Sequence, residues 1–391
     1  MKILYGYPYF PSTQYDNVEK LCLEIIMQLR ENGLDVDPFC LSLDPPSNAF
    51  SFERLDRLWT LGDRKLMVFY ERLYHACENY DVFFNSPGIN LHPDFVKTLP
   101  CLTVFGCNDD PDASEHLSKP VATAYDMCLI GNIAELDTYK SWGVKKVGWL
   151  PLGLMHEFYD KTLTKEEIFT GEREVDLFFL GDKLSPMRTA RLEQLGKAFP
   201  DAAFFGRGWQ RGYLPVGQEI EWLRRTKIGP NIHNTTGPVN LRSFYLPANG
   251  VLQICDNKNH LGKVFELGKE VVGFDSIGEC IDLCRYYLEH DEERRAIAAA
   301  GWERAVRDYP YPKVFQKYFV EPVQAALSAN TAKGSNSIPV EFLLKRQARL
   351  WKKDNSVRVL RALISETAFR AKGWLKKVRS KLLQLTSLDR V

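Results

Sequence analysis

The residues Asn240, Arg242 and Ser243 carry the types best suited to holding phosphate. They follow a strand-like run, 228–233, and a loop, Asn234-Thr235-Thr236-Gly237-Pro238. They open a short helical stretch closed by Asn249-Gly250. Amides at a helix start attract phosphate oxygens, and an arginine in the first turn adds a forked donor. The chemistry this predicts is recognition of a diphosphate. The plainer alternative is that Asn240 only caps the helix and Arg242 pairs with a carboxylate. A second group, Asn108-Asp109-Asp110, lies just after the strand-like 102–105, with His116 and His92 as further candidates. A carboxylate or imidazole at the carboxyl end of a strand can deprotonate a hydroxyl. Here the alternative is that one aspartate caps a helix and the other is solvated.

Several chemistries are excluded. There is no Gly-x-x-x-x-Gly-Lys-Ser/Thr loop, no Gly-x-Ser-x-Gly elbow, and no Gly-x-Gly-x-x-Gly after the first strand. That first loop is Gly6-Tyr7-Pro8-Tyr9-Phe10-Pro11, too bulky for a pyrophosphate to approach the backbone. The nine cysteines include no Cys-x-x-Cys pair, and Cys280 and Cys284 have no zinc-spaced partners nearby. Free thiols in a reducing compartment and no structural metal are expected.

The elements that must position these residues alternate. Short apolar runs (Ile3-Leu4-Tyr5, 82–84, 102–105, 127–130) each lead into a turn-rich loop. A helical period from Val18 to Leu29 ends at Gly33. After Trp149-Leu150-Pro151-Leu152-Gly153 the series begins again, with strands at 175–180, 203–205, 228–233, 251–254 and 271–274. Strands alternating with helices predict parallel sheets, whose ligands gather at the strands' carboxyl ends. The predicted organisation is α/β: two Rossmann-like domains, residues 1–150 and 151–328, facing across a cleft. A small polar linker (329–337) and a basic helical tail (338–391) follow.

The charge pattern supports that division. From Ile338 to Val391 fourteen Lys/Arg face four Asp/Glu, a net of +10, which leaves the preceding chain at −9. Leu344, Ala348 and Trp351 share one helical face. Leu375, Val378, Leu382 and Leu385 share another, with basic residues between them. Such helices suit an anionic membrane surface; nucleic-acid binding and docking on the acidic body are the other readings. No apolar run of bilayer length and no signal peptide is present, so a cytoplasmic chain is expected, held peripherally at the inner membrane face if the tail binds lipid.

From about Asn240 to Phe319 the sequence resembles the C-terminal half of the GT-B glycosyltransferases, in the group-1 branch that includes CgeB-like proteins. The resemblance rests on Asn240-x-Arg242-x-Phe244, Asn249-Gly250-Val251-Leu252, Gly268-Lys269-Glu270-Val271-Val272, the run 286–294 and the run 298–304. Asp109-Asp110-Pro111, the segment 139–152, and Gly181 with Arg188 extend it more weakly toward the N-terminus. It implies a metal-independent transferase that needs no cofactor and takes a nucleoside-diphosphate sugar as donor. Gly181, Arg188, Asn240, Arg242 and Ser243 would bind that donor. The acceptor would be a glycan or a lipid-linked sugar, with Asp109, Asp110 and His116 as candidate bases. Trp209, after Gly206-Arg207-Gly208, is read either as a border of the base pocket or as a core aromatic. Retaining members carry two glutamates eight positions apart; this chain has Gly237 and Tyr245 there, and Glu266 is the substitute for a ribose contact. Two rivals share the plan: a nucleotide-sugar epimerase, and an inactive module that binds a glycan or protein.

Overall fold

The computed structural model describes residues 1–9, 16–43, 51–86, 88–182, 185–215, 217–233, 239–256, 258–329 and 360–373. The loop residues Thr235, Thr236 and Gly237, the linker beyond 329 and the tail stretches 338–359 and 374–391 lie outside the described residues.

The first lobe is a parallel six-stranded sheet in the order β2-β1-β3-β4-β5-β6. Its strands are β1 (Lys2–Tyr7), β2 (Asp35–Cys40), β3 (Val82–Asn85), β4 (Leu102–Cys107), β5 (Met127–Ile130) and β6 (Val147–Trp149). Helices α1 (Asp16–Glu31), α2 (Phe52–Thr60), α3 (Arg64–Cys77), α4 (Pro93–Val96) and α5 (Leu136–Ser141) connect them. Inner strands are buried on both faces, which is why they read as continuous apolar runs. Leu4, Phe83, Phe105 and Cys128 pack into one layer, and Ile3, Tyr5, Phe84, Val104 and Leu129 into the other. β2, with Pro38 and two aspartates, has no such run; it is an edge strand, where a proline costs no ladder bond.

The second lobe is a parallel five-stranded sheet ordered β11-β10-β9-β7-β8. It comprises β7 (Val175–Leu180), β8 (Ala203–Phe205), β9 (Thr226–Asn231), β10 (Leu252–Cys255) and β11 (Val272–Gly273). Its helices are α6 (Lys165–Thr170), α7 (Pro186–Ala198), α8 (Glu219–Arg225), α9 (Arg242–Ala248), α10 (Lys258–Leu261), α11 (Ile277–Glu289) and α12 (Asp291–Asp308). In each lobe the chain leaves the starting strand in one direction and later returns to its other side. The reversal falls between β1 and β3 in the first lobe and between β7 and β9 in the second. Such points open crevices at the carboxyl ends of strands.

Arginine side chains tie the second lobe together. Arg173 donates to the carbonyls of Leu223, Thr226 and Asn249, satisfying the ends of α8 and α9, while Arg295 bonds the carbonyls of Ile168, Phe169 and Gly171 at the end of α6.

Two crossings join the lobes side by side. Leu154 donates its N–H to the Tyr309 carbonyl (2.7 Å) and accepts from the Tyr311 N–H (2.8 Å). Beyond Tyr309, helices α13 (Tyr311–Phe315) and α14 (Glu321–Ala329) pack back on the first sheet, with Phe319 4.7 Å from Phe84 and Phe315 4.3 Å from Phe319, centroid to centroid. Residues 311–329 therefore belong to the first lobe by packing, although they follow the second in sequence.

The tail helix α15 (residues 360–373) docks on the first lobe. The buried carboxylate of Glu366 faces Arg54 (3.4 Å) and Arg57 (3.8 Å) of α2, and the Arg54 guanidinium lies 4.3 Å from the Phe369 ring centre. Leu360, Leu363 and Ile364 point outward. No described helix is long and apolar enough to cross a membrane.

Candidate functional site

The crevice between β7 and β9 gathers the basic residues. β7 ends at Leu180, and Gly181 turns the chain, donating its N–H to the Phe205 carbonyl (2.9 Å) and accepting from Trp209 Nε1 (2.8 Å). Trp209 is thus a support for this turn, packed 5.0 Å from Phe204. Gly206 (φ +126°) passes so close that a Cβ would stand 2.5 Å from the Gly181 oxygen. Gly206→Ala is expected to destabilise the protein by about 2–4 kcal/mol, combining backbone strain with overpacking, and to displace Gly181. Denaturant unfolding checks this; a shift below 1 kcal/mol would contradict it.

Ser185 caps α7, its side chain accepting from the Arg188 N–H (3.2 Å), and Pro186 supplies a preset first position. Arg188 is only 4% exposed, and neither its Nε nor its Nη2 has a hydrogen-bond partner. Its guanidinium lies 5.1 Å from the centre of Phe179, and Arg242 lies 5.2 Å from the same ring. A Cβ added at Gly181 would meet Arg188 Nη2 at 2.5 Å and Arg242 Nη1 at 3.3 Å, so the absence of a side chain there admits both cations. Burial, and then the neighbouring Arg242 charge, lower the Arg188 pKa to about 10. The pair is a concentration of positive charge without a bonded carboxylate among the described residues.

Asn231, at the end of β9, organises the other side. Its Nδ2 reaches Asn240 Oδ1 (3.2 Å), Ser243 Oγ (3.1 Å) and Gln253 Oε1 (2.9 Å). Its Oδ1 accepts from Arg242 Nε (2.9 Å) and Asn240 Nδ2 (3.0 Å). Asn240 Oδ1 in turn accepts from the Ser243 N–H (3.2 Å), so the capping role is realised. The alternative pairing of Arg242 with a carboxylate is not: its described bonds go to an amide oxygen and to the Leu180 carbonyl (3.3 Å). Of the predicted donor residues, the structure brings together Gly181, Arg188, Asn240, Arg242 and Ser243. Glu266 stands on an exposed turn and pairs with Lys269 (3.0 Å). Tyr245 is buried and stacked on Phe158. Asn231, His233 and Asp256 are members of this site that the sequence reading missed. His233 and Asp256 lie twenty-three positions apart, and only the pairing of β9 with β10 joins them.

In the first lobe a cavity of about 270 Å³ opens at the carboxyl ends of β1, β3 and β4, beside the crossing. Tyr5, Phe84, Leu150, Met155 and Tyr311 make its wall largely apolar; Ser86, Asn108 and Asp109 supply a polar edge. Asp109 stands at an exposed position on this edge; its carboxyl is raised above its ordinary value, first by partial desolvation from the protein beside it and then by repulsion from Asp110 and Asp112.

Its neighbour behaves differently. Asp110, 3% exposed, turns inward: its carboxylate accepts from Ser114 (3.1 Å), Ser118 (2.9 Å) and the Tyr139 hydroxyl, and its carbonyl from Asn132 (3.0 Å). Those bonds occupy the lone pairs a base would need, so Asp110 is an anchor for the loop rather than a group facing the cavity. Asp110→Ala is expected to cost about 2–4 kcal/mol by orphaning three buried hydroxyls, read by denaturant unfolding. His116 is 75% exposed and faces Glu53 (3.5 Å), away from the cavity wall. His92 caps α4 and stacks 4.8 Å from Trp59, a structural role.

Two parallel α/β lobes, each with a crevice at its reversal point, define the GT-B fold. Residues 186–319 match the profile of the glycosyl transferase-like family. That match covers Arg188 and the whole Asn240–Ser243 group; it is to the broader family and does not single out the CgeB-like branch. No curated protein matches in sequence. Among solved structures the chain is similar to Anabaena HepE in complex with UDP and glucose (TM-score 0.57, 11% identity, 84% of this chain and 100% of that one). It is also similar to a glycosyltransferase from Rickettsia africae (0.57, 13%, 84% and 99%) and to sucrose-phosphate synthase from Thermosynechococcus elongatus (0.53, 11%, 84% and 100%). At these identities the likeness establishes the fold.

Proposed function

We propose that the protein transfers a sugar from a nucleoside-diphosphate sugar, held by the second lobe, to an acceptor hydroxyl presented by the first. The observation that carries this is the buried Arg188 guanidinium, its Nε and Nη2 without hydrogen-bond partners, beside Arg242 at the β7/β9 crevice. A buried guanidinium with nitrogens left unbonded is costly, and a diphosphate supplies two anionic groups with the forked geometry that guanidinium matches. As the β-phosphate departs, both arginines stabilise its growing charge. The comparisons agree in kind: HepE is seen with UDP and with UDP-glucose.

On the acceptor side we assign Asp109 as the base, taking the hydroxyl proton as the new glycosidic bond forms. The apolar wall beside it favours a lipid-linked acceptor over a bare glycan. The outward Leu360, Leu363 and Ile364 of α15, flanked by the basic tail, support peripheral placement on an anionic membrane surface. Transfer by this route calls for no metal.

A screen of UDP, GDP and ADP and their glucose conjugates by thermal shift tests the reading, since a ligand that binds the folded state raises its melting temperature. No shift with any of these nucleotides would defeat the donor assignment. The second reading, a binding module without turnover, is favoured by the buried, stacked Tyr245 in place of a carboxylate. Nucleotide binding without donor turnover would select it.

A further inference from the structure

His233 and Asp256 meet beside the two arginines because they follow adjacent parallel strands, β9 and β10. Asp256 Oδ2 accepts the backbone N–H of His233 (3.0 Å), and Oδ1 lies 2.6 Å from ring Nδ1. Arg191 Nη1 approaches Oδ2 at 3.4 Å and supports the ionised carboxylate. A carboxylate at Nδ1 assigns the ring proton to that nitrogen and leaves Nε2 as a lone pair. His233 is 4% exposed, and Nε2 has no hydrogen-bond partner. Burial, together with the Arg242 and Arg188 charges, outweighs Asp256 and holds the imidazole below its ordinary pKa, which keeps it neutral.

A nucleotide sugar brings hydroxyl protons as well as phosphate oxygens. Guanidinium groups have no acceptor capacity, so Arg188 and Arg242 cannot receive them. Asn231 and Ser243 are already engaged with each other and with their neighbours. Among the described residues of this cluster, the buried acceptor left open is His233 Nε2.

We propose that His233 Nε2 accepts a hydrogen bond from a hydroxyl of the bound donor, on its ribose or on the transferred sugar, and that Asp256 is the positioning residue that fixes the ring. The inference rests on the donor reading above. It makes His233 a reader of the sugar part of the ligand, whereas Arg188 and Arg242 read its phosphates. A metal is the competing occupant, because ligand atoms of His233, Cys255 and Asp256 lie within 4.8 Å of one another. A cation there would be repelled by Arg188 and Arg242 and would compete with Arg191 for Asp256.

The test is calorimetric titration of the full chain with UDP, GDP and ADP, the glucose conjugate of whichever binds, and its 2′-deoxyribose form. His233→Ala, His233→Gln and Asp256→Asn are compared with the wild type, each checked for a native melting transition. His233→Ala is expected to weaken binding about tenfold, the size of one hydrogen bond, with His233→Gln recovering part of the loss through its carbonyl and Asp256→Asn intermediate. A loss that appears with the free nucleotide and vanishes with the deoxy form assigns the ribose; a loss confined to the glucose conjugate assigns the sugar. Wild-type affinity of both His233 variants for every ligand overturns the proposal. So does one equivalent of tightly bound metal that His233→Ala releases. If the wild-type chain binds none of these nucleotides, the donor reading itself has failed and this inference falls with it.

Discussion

Replacing Arg188 with methionine is expected to raise the melting temperature of the free protein by a few degrees while weakening nucleoside-diphosphate binding about thirtyfold. The two effects have one cause. Arg188 is buried with two nitrogens unbonded and a second guanidinium over the same ring. Exchanging buried ionic groups for apolar ones of similar volume stabilises by about 1–4 kcal/mol, and among the described residues no carboxylate is bonded to Arg188, which Asp182 and Asp256 attract only without a bond. The cation–π contact with Phe179 returns about 0.5–1 kcal/mol of that, so about 2 kcal/mol remains. For a chain of this size each kcal/mol moves the transition by about 2–4 °C. The same substitution removes a charge-assisted contact to phosphate worth about 2 kcal/mol, which is the thirtyfold loss. Thermal melts with and without nucleotide check both parts: the variant should melt higher alone, and the wild type should gain more from ligand. A variant that melts lower and still binds would show that Arg188 serves the fold.

Asp109→Asn is expected to lower kcat about 10²- to 10⁴-fold with an unchanged melting transition, because the amide keeps the shape but cannot take a proton. In the wild type the base works only when ionised. Its proton is held more tightly than in an ordinary aspartate by partial desolvation from the protein beside it and by the charges of Asp110 and Asp112. The rate should therefore rise with pH along a limb shifted upward from that of an ordinary aspartate, and flatten once Asp109 has ionised. Asp112→Asn removes one repelling charge and should shift that limb to lower pH. A limb that stays in place in Asp112→Asn, or persists in Asp109→Asn, would assign the base elsewhere.

Much of this was legible in the residues themselves. The apolar runs located nearly every inner strand, because burial on both faces demands them. The Asn240-x-Arg242-Ser243 spacing marked the helix start, because capping needs a side-chain oxygen three positions before an amide. What stayed hidden depends on strand order, which no local pattern encodes. Nothing near His233 points to Asp256; only the β9–β10 pairing does. Adjacent aspartates look alike in sequence, yet Asp109 edges the cavity whereas Asp110 is drawn inward by Ser114, Ser118 and Tyr139, hydroxyls from a turn and a helix whose placement is tertiary. Glu266 is placed near the donor by its position just before Gly268-Lys269-Glu270, whereas its turn holds it in solvent beside Lys269. Glu366 lies amid a basic tail, and its burial against Arg54 and Arg57 follows from contacts across more than 300 residues.

The paired crossings at Leu154 and at Tyr309–Tyr311 bear on how the molecule can move. With two backbone bonds lashing outgoing and returning chain together, neither connector can swivel by itself, and at Gly153 (φ +66°) a Cβ would stand 3.1 Å from Val314 Cγ2. Jaw-like opening and shutting must flex the ribbon as one piece, about one axis. Flexing of that kind keeps both bonds, so the amide protons of Leu154 and Tyr311 should exchange slowly with deuterium, and fast exchange there would show the connectors coming apart.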